Sequence, residues 1–468
     1  MEFTREQTKA LRAVSEEHMK FVQYAANNAH CLDRLQFKLL DEWHCAISAR
    51  VQAWPTFVDK ETIAEMGRVS VGLCKVIKRI PAAVFELDTE LMSEFYQLDA
   101  DYIRNVVLGV GAKADQVIQG AFGRGDFIKT ADGLWCVEFN IASNLGGIWE
   151  TTAWEQKIIT VPVIADYLSR NNLSVQLRNT LRVMMKHVID QAKRYLQALS
   201  RQINVAYVFQ KEYLADEAEV RGLRKYFSEN YREALQQFGN GMQGDFILCC
   251  FDDLRVSDGL VFWGETRIHV VIEVTEGIVP AHILRCQQLG TLNLHNGPFS
   301  YLLCNKLNMA LLSEFQDSEI FEEKERELIR CHVPWTRRVA SGNADFEGNS
   351  ISLFDFILEN RDTLMLKKSL GSSGQFVVAG PSRTPGEWET ALRRALEEKD
   401  WIVQKYVACP SFPYQYGDYG CCLHDVIWGL FVFGEEYGGA FLRVLPKGRG
   451  AVVNRQRGSL DGVVLEIM

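Results

Sequence analysis

Several features that would assign this chain quickly are missing from it. Its 12 cysteines include no C-x-x-C spacing, and the closest are the adjacent pairs Cys249-Cys250 and Cys421-Cys422. Structural zinc is thereby disfavoured, and core packing accounts for the thiols better. No apolar run approaches the ~18 residues needed to span a bilayer; Ile427–Phe433 has the length of a strand. The opening segment MEFTREQTKALRAVSEEH has no apolar core of the signal-peptide kind. These absences imply a cytoplasmic protein with free thiols and no membrane partner. Cationic excess is missing too. A net charge of −9 argues against a chain devoted to gripping nucleic acid, though it leaves room for a local basic cleft. A G-x-x-x-x-G-K-[ST] loop is also absent, which excludes a P-loop.

What is present is a soluble composition, 47% hydrophobic and 24% charged over 468 residues. That length exceeds one ordinary core and predicts two or three subdomains. The most readable chemistry lies in Gly123–Glu150, GRGDFIKTADGLWCVEFNIASNLGGIWE. Asp126–Lys129 and Leu134–Asn140 read as hairpin strands, with Ala131-Asp132-Gly133 as a three-residue loop. If Thr130 pairs with Leu134, Asp126 lies opposite Glu138 and Arg124 opposite Asn140. All four then project from one face, and Phe127, Val137 and Phe139 fill the other. Two carboxylates and an amide oxygen on one pleated face suit Mg²⁺, and the neighbouring Arg suits phosphoryl oxygens. A surface hairpin with a cross-strand salt bridge fits the same residues.

In chain order, residues 4 to about 50 read as helical, with Thr4 and Gln7 as a capping box. Leu91–Val107 is predicted helical. Gly109-Val110-Gly111-Ala112-Lys113-Ala114 matches G-x-G-x-x-A, but it follows a helix-like segment rather than a strand, which disfavours a dinucleotide site. Ser143-Asn144-Leu145-Gly146-Gly147 reads as a turn whose small residues could let N–H groups approach an anion. Glu155 to about Gln202 is largely helical, Asn204–Phe209 a strand and Ala218–Gln237 a helix. Phe246–Phe251, Leu260–Trp263 and His269–Val274 read as strands, so this region is α/β. Cys304–Phe315 is a helix with Lys306 at its beginning, Ser318–Arg330 a charged helix, and Gly342–Ser350 a polar connector.

A second cluster follows. Leu364–Gly380 is strand, glycine–serine loop, strand. Lys367 ends the first strand, and Gly371-Ser372-Ser373-Gly374 either covers a triphosphate or simply turns. Trp401–Val407 is an apolar strand ending in polar residues, the form of an adenine-binding hinge. Val426–Phe433, Gly439–Val444 and Ala451–Asn454 are predicted as three antiparallel strands. Arg443 and Asn454 come late in them, and Arg449, Arg455 and Arg457 add local positive charge.

Taken in order, these blocks resemble the circularly permuted ATP-grasp enzymes: Arg-x-Asp, then Glu-x-Asn twelve residues after the Asp, Asn-Lys on a helix, Lys-x-x-x-Gly-x-x-Gly, Val-Gln, and a late strand Arg and Asn. Among them the chain is most similar to the synthetase domain of glutathionylspermidine synthases and related permuted ligases. The resemblance implies an α/β (α+β) fold: a helical N-terminal region over 1–95, a metal-site hairpin and helical part of the core over 96–240, a pre-ATP-grasp-like α/β subdomain over 241–342, and a nucleotide-binding lobe over 343–468. It implies Asp126, Glu138 and Asn140 as Mg²⁺ ligands, with Arg124 and Arg443 at the transferred phosphoryl group. Lys306, Lys367, Gly371, Ser372, Ser373, Gly374, Gln404, Lys405 and Asn454 would meet ATP. Family members commonly carry Lys-Pro where this chain has Lys367-Lys368, which leaves open which lysine faces the nucleotide. Residues Ile141–Gly147 replace the ADTPT-type segment of glutathionylspermidine synthases. Substrate choice is therefore expected at Ser143, Asn144, Gly146 and Gly147, and away from glutathione and spermidine.

The implied activity is ATP-dependent joining of a small-molecule or peptide carboxylate to an amine through an acyl phosphate, with no nucleic acid partner. The same fold could instead transfer an acyl or phosphoryl group to a hydroxyl or a carrier-protein thiol, or bind nucleotide without catalysis.

Overall fold

The computed structural model describes residues 3–28, 51–107, 118–196, 201–215, 217–238, 241–275, 278–371, 376–415 and 421–468. Residues 29–50 of the expected N-terminal helix, the Gly109–Ala114 string, and Ser372, Ser373 and Gly374 lie outside them. Among the described residues no helix is long and apolar enough to cross a membrane.

The central layer is an antiparallel sheet in the spatial order Leu460–Gly462, Glu436–Pro446, Cys421–Phe433, Phe122–Thr130, Gly133–Asn140, and Ser411–Gln415 also pairs with Cys421–Phe433. The early hairpin is thus a direct neighbour of the late strands. Side chains alternate across this sheet. Leu430, Val432 and Leu442 face one core, which contains Met66, Val69, Leu73, Val76 and Ile80 of helix Lys60–Ala83. Phe122, Phe431, Phe433 and Phe441 face another, with Leu181, Met184 and Val188 of helix Thr180–Tyr195. Burying each such side chain contributes about 1.5–3 kcal/mol. Lys78 pins the start of the hairpin: its buried Nζ donates to the carbonyls of Gln119, Ala121 and Gly434 at 3.0, 2.9 and 3.1 Å.

Two further sheets flank this layer. One is parallel, in the order Asn293–His295, Val270–Glu273, Val205–Val208, Phe246–Cys249. Its strands are apolar on both sides because helices cover both faces: Phe227 and Tyr231 of helix Glu217–Gln236 on one, Ile283 and Cys286 of helix Ala281–Gln288 on the other. The second is antiparallel, in the order Thr336–Arg338, Trp401–Lys405, Leu364–Lys368, Val377–Ala379. Leu364, Leu366, Trp401 and Val403 pack against Trp388, Leu392 and Ala395 of helix Pro385–Glu398. Met365, Lys367 and Gln404 are left on the opposite face. Thr56–Val58, Val464–Ile467 and Val175–Gln176 form a small sheet beside the N-terminal helices Arg5–Val14 and Glu16–Asn27.

Several local expectations change. Helix 91–107 is interrupted rather than continuous: Thr89–Tyr96 ends where Gln97 takes a left-handed conformation (φ 55°), and helix resumes over Ala100–Tyr102 and continues as the π-helical Ile103–Val107. The helical stretch 155–202 is three helices, Ile148–Ile158, Pro162–Arg170 and Thr180–Tyr195, with Pro162 starting the second. The charged helix starts later, at Glu323–His332, capped by Glu322. The connector 342–350 is a hairpin, Asn343–Phe346 with Asn349–Ser352, turning on Glu347-Gly348 at positive φ. Ala451–Asn454 is not a strand; the edge pairing belongs to Leu460–Gly462. Asn454 ends the irregular stretch by capping the turn Arg455–Arg457.

Candidate active site

A cavity of about 540 Å³ lies between the central sheet and the sheet carrying Lys367. Seven cationic side chains and three carboxylates line it, so the cleft is locally basic within an acidic chain.

The hairpin forms one wall through two departures from the expected register that cancel. The turn has two residues rather than three, since Gly133 already pairs with Thr130. A bulge between Asp126 and Phe127 then admits Val137 as an extra residue, so Asp126 does face Glu138 and Arg124 does face Asn140. The bulge also turns Val137 away from the core: it is half-buried and lines the cavity, while Cys136 and Phe139 take the apolar side. Gly125 is required beneath this wall, because a Cβ there would come within 2.3 Å of the Phe127 ring. Gly429 makes room on the next strand for Arg124, whose Cδ would lie 2.9 Å from a Cβ.

Asp126 is 7% exposed and held between two guanidiniums. Arg124 Nε donates to its Oδ1 at 3.1 Å, and Arg443 Nη2 lies 2.6 Å from its Oδ2. Burial alone raises a carboxyl's pKa; Arg124 and Arg443 outweigh it and keep Asp126 below the ordinary carboxylate range. Arg124 also donates to the Gly146 carbonyl at 2.9 Å, which ties the 143–147 turn to this wall. Lys306 stands 3.3 Å from Glu138 Oε1 and donates to the Gly371 carbonyl at 3.0 Å. It immediately precedes helix Leu307–Glu314 rather than lying within a helix.

Across the cleft, Lys367 Nζ donates to the Val137 carbonyl at 2.9 Å and to Gln404 Oε1 at 2.7 Å. Gln404 is oriented by donating to Thr336 Oγ1 at 3.0 Å. Burial pushes the Lys367 ammonium down to about 8, with Glu138 pulling it back up and Lys306 pushing it down. Lys368 points elsewhere, to Glu398 at 2.9 Å and Asp400 at 3.4 Å. The inward lysine is therefore Lys367.

Of the remaining expected residues, Asn140, Asn144, Gly146, Gly371 and Lys405 line the cavity. Asn454 lines it as well, although its Oδ1 accepts from Arg457 N–H at 2.9 Å. Ser143 does not line it: it is 1% exposed and donates to the His295 carbonyl at 3.0 Å. Gly147 caps helix Ile148–Ile158 at φ 97°, away from the lining. Residues outside the sequence expectation also line the cavity, among them Glu273, Ser300, Tyr301 and Cys304. Arg455, read in the sequence only as local charge, lines it while bound to Asp461 at 2.6 Å and Glu150 at 3.3 Å.

The donor set fits a hard cation. Glu138 and Asp126 are opposed on one face, and each Asp126 oxygen takes one guanidinium and keeps a lone pair. The Asn140 amide has no hydrogen-bond partner among the described residues. Nowhere among those residues do three or more His, Cys, Asp or Glu converge, and two carboxylates with an amide is the composition Mg²⁺ takes alongside substrate phosphates.

No family model matches the chain, and no curated protein does. Among solved structures it is similar to the protein described as "Putative gamma-glutamylcysteine synthetase" from Methylobacillus flagellatus KT, at 11% identity and TM-score 0.41, covering 84% of this chain and 88% of that one. It is also similar to D-alanyl-alanine synthetase A from Vibrio cholerae O1 biovar eltor str. N16961, at 10% identity and TM-score 0.27, covering 53% of this chain and 69% of that one. Likeness at these values decides nothing about chemistry.

Proposed function

We propose that the chain is an ATP-dependent carboxylate–amine ligase of circularly permuted ATP-grasp type. The observation that carries this is the convergence of Arg124, Asp126, Glu138, Lys306, Lys367 and Arg443 on one cavity between two antiparallel sheets. Arg124, Asp126 and Glu138 come early in the chain and Arg443 late, and the run of paired strands Phe122–Thr130, Cys421–Phe433 and Glu436–Pro446 brings them together. An early hairpin beside late strands is the arrangement a permuted order requires.

In this reading the triphosphate lies between the walls. Lys367 and Lys306 compensate its charge, and Arg124 and Arg443, already oriented by Asp126, face the migrating phosphoryl group. Preorganised cations of this kind stabilise transition-state charge without reorganisation. Mg²⁺ held by Asp126, Glu138 and Asn140 would supply further neutralisation of phosphate oxygens. The carboxylate substrate attacks the γ-phosphorus and releases ADP, and the amine then attacks the acyl carbon and expels phosphate. The adenine lies towards Trp401–Lys405, and Gly371 lies on the phosphate side. Asn144 and Gly146 contact the acid substrate.

The test is ADP release across a panel of carboxylates, with and without amines. Release that needs both substrates supports the ligase. Release with a hydroxyl acceptor in place of the amine favours phosphoryl or acyl transfer instead. Absence of any Mg²⁺-dependent nucleotide binding would rule out the enzymatic reading.

A further inference from the structure

Arg455 lines the cavity and takes no part in the phosphate chemistry proposed for it. Two buried carboxylates hold its guanidinium. Asp461, 2% exposed, accepts from Nε at 3.2 Å and from Nη2 at 2.6 Å; Glu150, 5% exposed, accepts from Nη2 at 3.3 Å. The bidentate pairing fixes the guanidinium plane. It occupies the Nε and Nη2 edge of the fork, and both donors of Nη1 have no partner among the described residues.

That open corner stands beside the turn where substrate choice is expected. A Cβ on Gly146 would lie 4.0 Å from Arg455 Nη1, and Gly146 also lines the cavity. The turn is tied to two arginines at once. Arg124 donates to the Gly146 carbonyl at 2.9 Å, and Glu150, which holds Arg455, accepts from the Gly147 N–H at 3.0 Å. Asp461 is the cross-strand partner of Arg443. An arginine anchored on Asp461 therefore stands about one strand spacing, ~5 Å, beyond Arg443. Neutralising Asp461 and Glu150 would be served by a guanidinium buried with them, but 42% of the Arg455 side chain is exposed.

We propose that Arg455 binds a second carboxylate of the acid substrate, which is then a short dicarboxylate. One carboxylate meets the phosphoryl group at Arg124 and Arg443, and the other sits on Arg455 Nη1 beside Gly146. The proposal rests on the ligase reading for which carboxylate reacts. A fixed guanidinium edge matches a planar carboxylate. Glu150 and Asp461 limit the charge this corner accepts: a phosphate dianion would meet both of them as like charge.

Calorimetric titration of the full chain with glutarate and with pentanoate, the same chain lacking one carboxylate, tests this. Binding of Mg²⁺ with a non-hydrolysable ATP analogue is measured in parallel. The wild type should bind glutarate about tenfold more tightly than pentanoate, the value of one charged hydrogen bond. Arg455→Gln should abolish that preference. Asp461, pushed up to about 6 by burial even beside Arg455, can take a proton when the arginine is removed. Gly146→Val places a branched side chain before Nη1 and leaves the Asp461 pairing intact. Gly146 is outside the left-handed region, so the variant is unstrained there; it should also abolish the preference, and it decides the matter if Arg455→Gln fails to fold. Equal binding of the two acids by the wild type, or a preference that survives both variants, overturns the subsite. A glutarate preference without any nucleotide binding leaves the dicarboxylate site standing and removes the ligase reading. Nucleotide binding without a glutarate preference leaves the ligase and removes the subsite.

Discussion

On the hairpin wall, Asp126 meets two guanidiniums at 3.1 and 2.6 Å. Across the cleft, the Lys367 ammonium donates, among the described residues, to a carbonyl and an amide oxygen. The first wall is neutralised within itself, and its acid stays ionised. The second buries a cation whose hydrogen-bond acceptors are neutral and whose burial Glu138 offsets only in part, so its proton is loosened to about 8. A buried ammonium that its neighbours compensate only in part costs stability. The contrast locates the missing charge: an anion belongs between Lys367 and the two arginines. The proposed metal would lie beside Glu138, whose ionic partner among the described residues, Lys306, stands at 3.3 Å.

The largest effect should come from Glu138→Gln. It removes a metal carboxylate without disturbing the paired Asp126, so ADP release should fall by about 10²–10³-fold with the melting temperature unchanged. Normal turnover in that variant would detach the hairpin from the chemistry. Asp126→Asn acts on stability as well as on the proposed metal site. It strands two guanidiniums that are largely buried and should cost about 3–5 kcal/mol in denaturant unfolding. A loss within experimental error would show that the hairpin wall is not held by that pairing.

Lys367→Met breaks the symmetry in the other direction. Replacing a partly compensated buried ammonium by an apolar side chain should leave stability equal or about 1 kcal/mol higher, while ATP affinity falls about tenfold or more. The pH dependence has a definite sign. In the free chain Lys367 loses its proton as pH rises through about 8, so nucleotide affinity should decline between pH 7 and 9 and be flatter in the Met variant. The unfolded lysine keeps its proton to about 10.5. Between these values the unfolded chain binds more protons, so this group's contribution to stability rises with pH. The gap between Met variant and wild type should accordingly narrow from pH 8 to 10.5. Lys368→Ala should do least: its partners Glu398 and Asp400 lie outside the phosphate position, and a half-exposed pair is worth about 0–1 kcal/mol.

The hairpin face was legible in the sequence because strand alternation is local, and Arg124, Asp126, Glu138 and Asn140 lie within 17 consecutive residues. Even there the result came from two compensating departures. Alternation alone assigned Val137 to the core, and only the bulge reverses it. Arg443 was legible as a polar residue late in an apolar strand, but its grip on Asp126 depends on a strand pairing across most of the chain. Glu273 was not legible, since it ends a run of valines and isoleucine and reads as the tail of a core strand. Ser143 failed in the opposite sense. It lies among small loop residues that suggest an exposed turn, yet its hydroxyl is buried against the His295 carbonyl. Which side of a turn faces a cavity is set by the neighbouring subdomain, which short-range sequence does not encode.

The most direct test is calorimetric titration of the chain with a non-hydrolysable ATP analogue, with and without Mg²⁺, in the wild type and in Glu138→Gln. The two-wall account predicts one site per chain, tightened about tenfold or more by Mg²⁺ in the wild type, with the Mg²⁺ enhancement lost in the variant while metal-free binding persists. A wild type that binds no nucleotide, or a variant that keeps the full enhancement, would contradict it.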